Sequence, residues 1–143
     1  MKALSVSRPW TTLILQFDKS PENRSWPTSY RGPLWLHAAR SWDADAIPWA
    51  EELGLIPVGA VSRRSADHPT GLVGQVTVTG LCSAWSVRRE PQSECWCPLW
   101  AADNQYHWLL TQPRSLAEPI ACRGALGLWE PAEDVVAQAR WST

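Results

Sequence analysis

The stretch Glu22-Asn23-Arg24-Ser25-Trp26 is followed by Tyr30-Arg31-Gly32 and then by Leu34-Trp35-Leu36-His37-Ala38. The first and last of these segments are typical of strands, and the turn residues at 27–29 between them predict a β-hairpin. Carboxylate, amide, guanidinium, imidazole and indole groups all lie on this hairpin. A short helix that opens at Pro9-Trp10 precedes it. The sequence therefore predicts a pocket between the first helix and the hairpin at 22–38.

The rest of the chain predicts short strands mixed with short helices. Trp10, Leu13, Ile14 and Phe17 have the spacing of one buried helical face, which predicts a helix over 10–17. The further predicted elements are strands at 2–6, 71–80, 106–111 and 125–129, helices at 43–53 and 132–139, and an irregular loop at 56–70. This mixture indicates an α+β fold. The length of 143 residues fits a single domain over 1–143, with a less regular insertion at about 82–104.

The composition excludes some classes of function. A formal net charge of −1 disfavours a long binding track for duplex nucleic acid, because proteins with such tracks carry an excess of Lys and Arg. No apolar run approaches the roughly 20 residues that cross a bilayer, so we expect no membrane association and a cytoplasmic protein. Eleven tryptophans are more than a core of this size can bury, so some should line a cleft or surface.

The start of the first helix offers groups that bind anions or bases. Unpaired N–H groups at Trp10, Thr11 and Thr12 lie at the positive end of the helix dipole, beside two hydroxyls. The Trp10 indole can stack on a nucleobase, which is worth roughly 1–3 kcal/mol per base. A plain capped helix end is the alternative interpretation of these residues.

The charged residues that follow the helix suit the recognition of polar groups. Alternation along the strand places Glu22 and Arg24 on one face, where Lys19 can hold the carboxylate between two cations. Arg24 and Arg31 are the candidates for binding phosphate, because their planar forks match oxyanions. Asn23 suits either a nucleobase edge or the satisfaction of backbone groups. The charged cluster is equally consistent with an ion network that braces the site.

Histidines and cysteines complete the candidate residues. His37 lies in a strand of otherwise apolar residues, so it is either a ligand-binding residue or a hydrogen-bonded core histidine. We expect no secretory signal, and hence reduced cysteines and no cofactor. A tetrahedral zinc site would draw on a C-x-C pair, an upstream cysteine and a downstream histidine: Cys95, Cys97, Cys82 and His107. This spacing is not a common zinc pattern, so small buried cysteines without metal are the favoured interpretation.

Two blocks of the chain together resemble a known family. The matching residues are Pro9-Trp10, Lys19, Glu22-Asn23-Arg24, Tyr30-Arg31-Gly32 and His37-Ala38, followed by the block from His107 through Pro119-Ile120 to Trp129. They resemble the ASCH (activating-signal-cointegrator homology) family. The resemblance implies a PUA-like small mixed β-barrel flanked by short helices. It also implies a function linked to nucleic acid, because this barrel is similar to modules that bind RNA or modified bases.

One branch of the ASCH family hydrolyses N4-acetylcytidine with a lysine, a threonine and a glutamate. By this resemblance Lys19 matches the lysine, whereas Glu22 stands at the threonine position and Gln75 at the glutamate position. A glutamine side chain is no general base, so the residues of that reaction are incomplete here. Other members are reported as ribonucleases, but this chain has no paired histidines in a recognisable motif.

These observations lead to one expected function and two alternatives. We expect a protein that binds RNA, a nucleotide or a modified base, with Trp10 stacking and with Arg24 and Arg31 on phosphate. The first alternative is a hydrolase acting on an acylated nucleoside, or a ribonuclease, with Lys19 and Glu22 as the catalytic pair. The second is a protein-interaction module that uses exposed tryptophans, such as those of the insertion at 82–104.

Overall fold

The computed structural model describes residues 1–83 and 95–143, so the middle of the insertion predicted at 82–104 lies outside the described residues. The elements are β1 (Ala3–Arg8), α1 (Trp10–Phe17), β2 (Glu22–Arg24), β3 (Gly32–Trp42), α2 (Ala46–Glu52), β4 (Gly71–Cys82), β5 (Tyr106–Ile120), β6 (Leu128–Trp129) and α3 (Glu133–Val136). The helix predicted over 10–17 is confirmed as α1. Among the described residues no helix has both the length and the apolar character to span a membrane.

Six strands form one mixed sheet in the order β2-β5-β4-β3-β1-β6. β1 and β3 run parallel, and the other neighbouring pairs run antiparallel. Within the described part of the chain the edge strands β2 and β6 do not pair with each other, so the sheet is open. The predicted α+β class is therefore confirmed, whereas the small mixed β-barrel is not.

The hairpin predicted at 22–38 is wrong. β2 pairs with the start of β5, where Glu22 lies opposite Trp108 and Arg24 lies opposite Tyr106. β3 pairs with β1 and β4 instead, so two strands separate it from β2. Trp26 shows why β2 turns to β5: its ring packs edge-on against Trp108 at 4.7 Å between centroids, and its carbonyl accepts a hydrogen bond from Trp108 Nε1 at 3.2 Å. Long-range aromatic packing thus decides the pairing, since the local turn signal does not specify a partner strand.

The main core lies between α1 and the sheet. Its buried members come from β1, β3, β4 and β5, together with one residue of α1: Leu4, Val6, Ile14, Leu34, Leu36, Ala38, Val73, Val76, Val78 and Trp108. Trp108 has no solvent exposure and is one of the largest side chains in this set. Burial of these apolar groups is the dominant force that holds the helix on the sheet.

A second apolar cluster joins α1 to α2 and to the chain that follows the undescribed segment. Its buried members are Leu13, Ile47, Ala50, Ile56, Val61 and Trp100. The helix predicted at 43–53 is confirmed as α2, which begins only after Asp45. This cluster fixes α2 and the segment 99–105 beside the start of α1.

Candidate ligand-binding cleft

A cleft of about 970 Å³ opens between the start of α1, strand β2, helix α2 and the segment 99–105. Five of the residues predicted to bind a ligand line it together, namely Trp10, Lys19, Glu22, Asn23 and Arg24. The structure therefore gathers these side chains at one place, and their role in binding stays a prediction. The opposite wall, formed by α2 and 99–105, takes the place that the sequence assigned to the returning strand of the hairpin.

Among the described residues, three tryptophans line the cleft: Trp10, Trp49 and Trp100. The Trp10 and Trp49 rings are 6.1 Å apart at an interplanar angle of 67°, and Trp49 and Trp100 are 6.0 Å apart at 53°. Trp49 is 37% exposed, whereas Trp100 is buried. Trp10 is oriented by its Nε1, which donates to Asp43 Oδ2 at 3.1 Å. Rings at such angles offer a planar ligand one face for stacking and further edges for contact.

A chain of ion pairs joins Lys19, Glu22 and Arg24. Lys19 Nζ lies 3.3 Å from Glu22 Oε1, and Arg24 Nε lies 3.1 Å from Glu22 Oε2. The Arg24 contact is electrostatic and is not aligned as a hydrogen bond. Lys19 also donates to the Pro21 carbonyl at 2.7 Å, and Arg24 Nη2 donates to the Ser5 carbonyl at 2.7 Å. The predicted position of Glu22 between two cations is confirmed, and Lys19 and Glu22 are both buried.

Burial also changes the acidity of Lys19. Its pKa lies below the usual 10.5, chiefly because desolvation penalises the ammonium form. Glu22 opposes this effect through its charge and its hydrogen bond, and the charge of Arg24 adds to the lowering of the pKa. The Trp10 ring centroid lies 5.3 Å from Lys19 Nζ and offers the ammonium a favourable aromatic face.

Asn23 connects the two sides of the cleft through its amide group. Its Nδ2 donates to the Trp100 carbonyl at 3.0 Å, and its Oδ1 accepts from the Ala102 N–H at 2.9 Å. Of the two roles that the sequence allowed, the structure shows the satisfaction of backbone groups. Asn23 therefore braces the wall that carries Trp100.

Acidic residues give the cleft an excess of negative charge. Among the described residues, the charged side chains that line it are two cations and four carboxylates: Lys19, Arg24, Glu22, Asp43, Asp45 and Asp103. Two cations against four carboxylates leave a formal charge of −2 for this described lining. Sequence reasoning did not propose these aspartates, nor Trp49 or Trp100, as site residues. The acidic start of the helix at 43–53 and the high tryptophan content were the available signals, but neither gave a location relative to Trp10.

Three other residues predicted to bind a ligand lie outside this cleft. Thr11 is buried, and Thr12 Oγ1 lies 2.9 Å from His68 Nδ1. Both threonines line a separate groove of about 110 Å³. Arg31 is exposed and donates to backbone carbonyls in its own turn. The pocket predicted at the helix start and the hairpin is thus divided, and only its Trp10 and β2 part faces the cleft.

Two further candidates from the sequence also lie apart from the cleft. His37 is buried, with Nδ1 3.1 Å from Ser5 Oγ and Nε2 3.0 Å from the Cys122 carbonyl, which is the geometry of a hydrogen-bonded core histidine. Gln75 lies on β4 opposite Arg114 and lines a different depression. Gln75, which the resemblance placed at the glutamate position, is therefore absent from the lining of the cleft that contains Lys19.

The three cysteines and the histidine weighed as a zinc site come together in the structure. Their possible ligand atoms, on Cys82, Cys95, Cys97 and His107, all lie within 4.8 Å of one another. Burial, followed by the neighbouring Cys95 and Cys82 thiols, raises the pKa of Cys97 to about 12. The fourth cysteine, Cys122, lies outside this cluster, and burial raises its pKa as well.

The tryptophans of the insertion at 82–104 differ in exposure. Trp96 is 88% exposed, whereas Trp100 is buried in the cluster beside the cleft. Trp85 lies outside the described residues. An interaction surface built on this insertion therefore stays a prediction, for which Trp96 is the exposed side chain that the structure describes.

The fold and the cleft together define the class of protein: a small α+β domain whose mixed sheet carries a tryptophan-lined cleft beside its first helix. The family model described as the ASCH domain matches residues 4–120, which is most of the chain. The protein belongs to the ASCH domain family, as the resemblance in the sequence implied. Comparison with the curated proteins found no match for the chain.

Proposed function

We propose that the protein binds a nucleobase, presented as a nucleoside or as an unpaired base of RNA, in the tryptophan-lined cleft. The observation that carries this proposal is the meeting of three tryptophan rings with several carboxylates in one cleft. Indole rings stack on bases of any sequence, and carboxylates accept hydrogen bonds from base amino groups and ribose hydroxyls. Membership of the ASCH family agrees with a function related to RNA.

The charge of the cleft favours recognition of the base over recognition of phosphate. The part of the lining that the structure describes carries a formal charge of −2, and like charges repel at short range. Arg24, one of the two candidates for phosphate, is held by Glu22 and by the Ser5 carbonyl. Arg31, the other candidate, lies outside the lining. The preferred ligand is therefore a neutral or cationic base whose phosphates, if present, stay in solvent.

The size and the bracing of the cleft fit a small rigid ligand. A volume of about 970 Å³ falls at the upper end of the range of roughly 300–1,000 Å³ for small-molecule sites. The buried ion pairs of Lys19 and Glu22 hold one wall, and the Asn23 amide holds the opposite wall. Walls fixed in advance lower the entropic cost of binding.

The test is a binding titration with a panel of nucleosides, their 5′-monophosphates, N4-acetylcytidine and short single-stranded RNA. A ligand that binds only the folded protein raises its melting temperature, and calorimetry then gives the affinity. We expect at least one nucleoside to bind, and its monophosphate to bind more weakly. Trp49→Ala should reduce the affinity by about fivefold to 150-fold, because one stacked base is worth roughly 1–3 kcal/mol. Trp49 is partly exposed, so this change should leave the fold intact.

Trp96→Ala is the matched control, since it removes an exposed tryptophan that does not line the cleft. Its affinity for the nucleoside should equal that of the wild type. Equal affinities of Trp49→Ala and wild type would contradict the proposed site. Tighter binding of monophosphates than of nucleosides would contradict the argument from charge.

A second candidate function, hydrolysis of an acylated base, is favoured by the lowered pKa of Lys19. Burial lowers this pKa, so a larger fraction of the amine is neutral near physiological pH than in an exposed lysine, and a neutral amine can act as a base or a nucleophile. Incubation with N4-acetylcytidine should then release cytidine and acetate, and Lys19→Met should abolish the release. The control variant Lys2→Met changes the other lysine of the chain, which is partly exposed, and it should still release cytidine and acetate. Absence of turnover by the wild type would exclude this candidate and leave base binding intact.

A further inference from the structure

A cluster of sulfur and nitrogen atoms lies where β4 ends and β5 begins. Tetrahedral zinc, with Zn–S near 2.3 Å and Zn–N near 2.0–2.1 Å, separates its ligand atoms by about 3.5–3.8 Å. The ligand atoms of Cys82, Cys95, Cys97 and His107 are all within 4.8 Å of one another, so none of their separations exceeds that of a zinc tetrahedron by much more than about 1 Å. Cys95 Sγ and His107 Nδ1 are already 3.4 Å apart.

The tautomer of His107 provides a second, independent observation. Its Nε2 lies 2.6 Å from the Ala102 carbonyl, which can only accept a hydrogen bond, so Nε2 carries the proton. Nδ1 therefore presents its lone pair to the cysteine sulfurs. A metal-bound histidine has this arrangement, in which the other ring nitrogen donates to a carbonyl or carboxylate that fixes the orientation of the ring.

The backbone also places the four side chains without a rearrangement of the fold. Cys82 and His107 are opposite each other in the register of β4 and β5. Cys95 and Cys97 are both buried, whereas Trp96 between them is exposed, as expected for alternating side chains of an extended segment. A rigid strand pair thus supplies two ligands, and one short extended segment supplies the other two.

We propose that Cys82, Cys95, Cys97 and His107 bind a structural zinc ion that closes the connection between β4 and β5. Three sulfurs and one imidazole nitrogen in tetrahedral reach are a set that suits zinc, and four protein ligands leave no open position for catalysis. On binding, the three thiols lose their protons to solvent and the histidine binds through Nδ1.

The zinc site has a consequence for the neighbouring cleft. His107 contacts the Ala102 carbonyl, and the Ala102 N–H and the Trp100 carbonyl are bound by Asn23. The metal therefore anchors the chain from Cys95 to Ala102, which includes the cleft wall. Metal binding and its effect on stability are measured without any cleft ligand, so failure of the proposed base binding would leave this proposal testable.

The experiment measures metal content and cobalt spectra. Protein produced with added zinc should contain one zinc per chain by elemental analysis. Replacement of the zinc by cobalt(II) should give the intense visible bands of tetrahedral coordination and the near-ultraviolet band of thiolate–cobalt charge transfer. Cys82→Ser and Cys97→Ser should each lose the bound zinc. Cys122→Ser is the matched control, because it changes a cysteine outside the cluster, and it should retain the zinc.

The melting temperature of the wild-type protein provides a second test, which does not depend on whether a cysteine variant folds. A strong chelator should lower the melting temperature of the wild-type protein, and added zinc, but not magnesium, should restore it. Metal-free wild-type protein whose melting temperature does not respond to zinc would overturn the proposal. Equal zinc content in Cys97→Ser and Cys122→Ser would overturn it as well, as would a disulfide between two of the cluster cysteines in freshly purified protein.

Discussion

Asn23 joins β2 to the segment that follows the undescribed residues. Its side-chain amide satisfies one carbonyl and one N–H of that segment, at Trp100 and Ala102. Glu22 and Arg24, one residue to either side of Asn23 on the same strand, form an ion pair, and Glu22 forms a second ion pair with Lys19, which precedes the strand. Polar atoms of β2 are thus largely bound to protein, so in the proposed complex the tryptophans and aspartates would supply more of the contact with a nucleobase.

We expect Asn23→Ala to destabilise the protein, because it removes two hydrogen bonds and leaves two backbone groups unsatisfied. Each bond has a net value of roughly 0.5–1.5 kcal/mol, and both are partly solvated, so the loss in unfolding free energy should be about 1–2 kcal/mol. Urea denaturation measures it. Gln16→Ala, an amide removed from an exposed position of α1, is the control and should change stability little. Equal stability of the two variants would show that the Asn23 bridge contributes nothing.

Helix α2 positions one side of the cleft and also holds the loop that follows it. Trp49 lies on its cleft side, and Ile47 and Ala50 face the apolar cluster that includes Leu13. Near its end, Glu51 accepts a hydrogen bond from the Gly59 N–H at 2.6 Å and forms an ion pair with Arg63. The pKa of Glu51 is held below its usual 4.5, first by the Gly59 hydrogen bond and then by the hydrogen bond from Arg63.

The lowered pKa of Glu51 predicts that acid destabilises the contact of α2 with the loop that follows it. A carboxyl whose pKa is lower in the folded state than in the unfolded state adds stability above pH 4.5, and loses this contribution as the pH falls through its folded pKa. Glu51→Gln should therefore melt at a lower temperature than wild type at neutral pH, and the two melting curves should converge in acid. Thermal unfolding across this pH range tests the expectation, with the exposed neighbour Glu52→Gln as control. A difference that persists unchanged in acid would contradict the assigned cause.

At the scale of the whole molecule, the cleft is assembled from parts that are distant in the chain. The start of α1, strand β2, helix α2 and the segment 99–105 meet because two apolar clusters share α1, one through Ile14 and the other through Leu13. The sheet beneath is open, and its edge strand β2 carries the ion pairs of the cleft. The proposed zinc site lies at the same end, on the strand that pairs with β2.

Much of the fold could be predicted because its signals are local. The helical spacing of Trp10, Leu13, Ile14 and Phe17 predicted α1, and the strand-like residues 2–6 before it predicted β1. The prediction of the hairpin was wrong because a turn between two strands does not determine the strands with which they pair. The contact that decides the pairing joins Trp26 to Trp108, which are 82 residues apart in the sequence. The residues of one cleft wall were predicted for the same reason as α1, since they are neighbours in sequence.

The sequence alone was enough to predict the ASCH family, the α+β class, the short first helix, and the proximity of Trp10, Lys19, Glu22, Asn23 and Arg24, whose side chains line one cleft. The folded structure was needed to show the order of the strands, the second wall with Trp49 and Trp100, the negative charge of the described lining and the meeting of three cysteines with His107. This difference between what was predicted and what was not has its cause in the distance along the chain over which the interactions act. Backbone periodicity and capping act over a few residues, whereas burial of aromatic rings and pairing of charges act between segments that come together only when the chain folds.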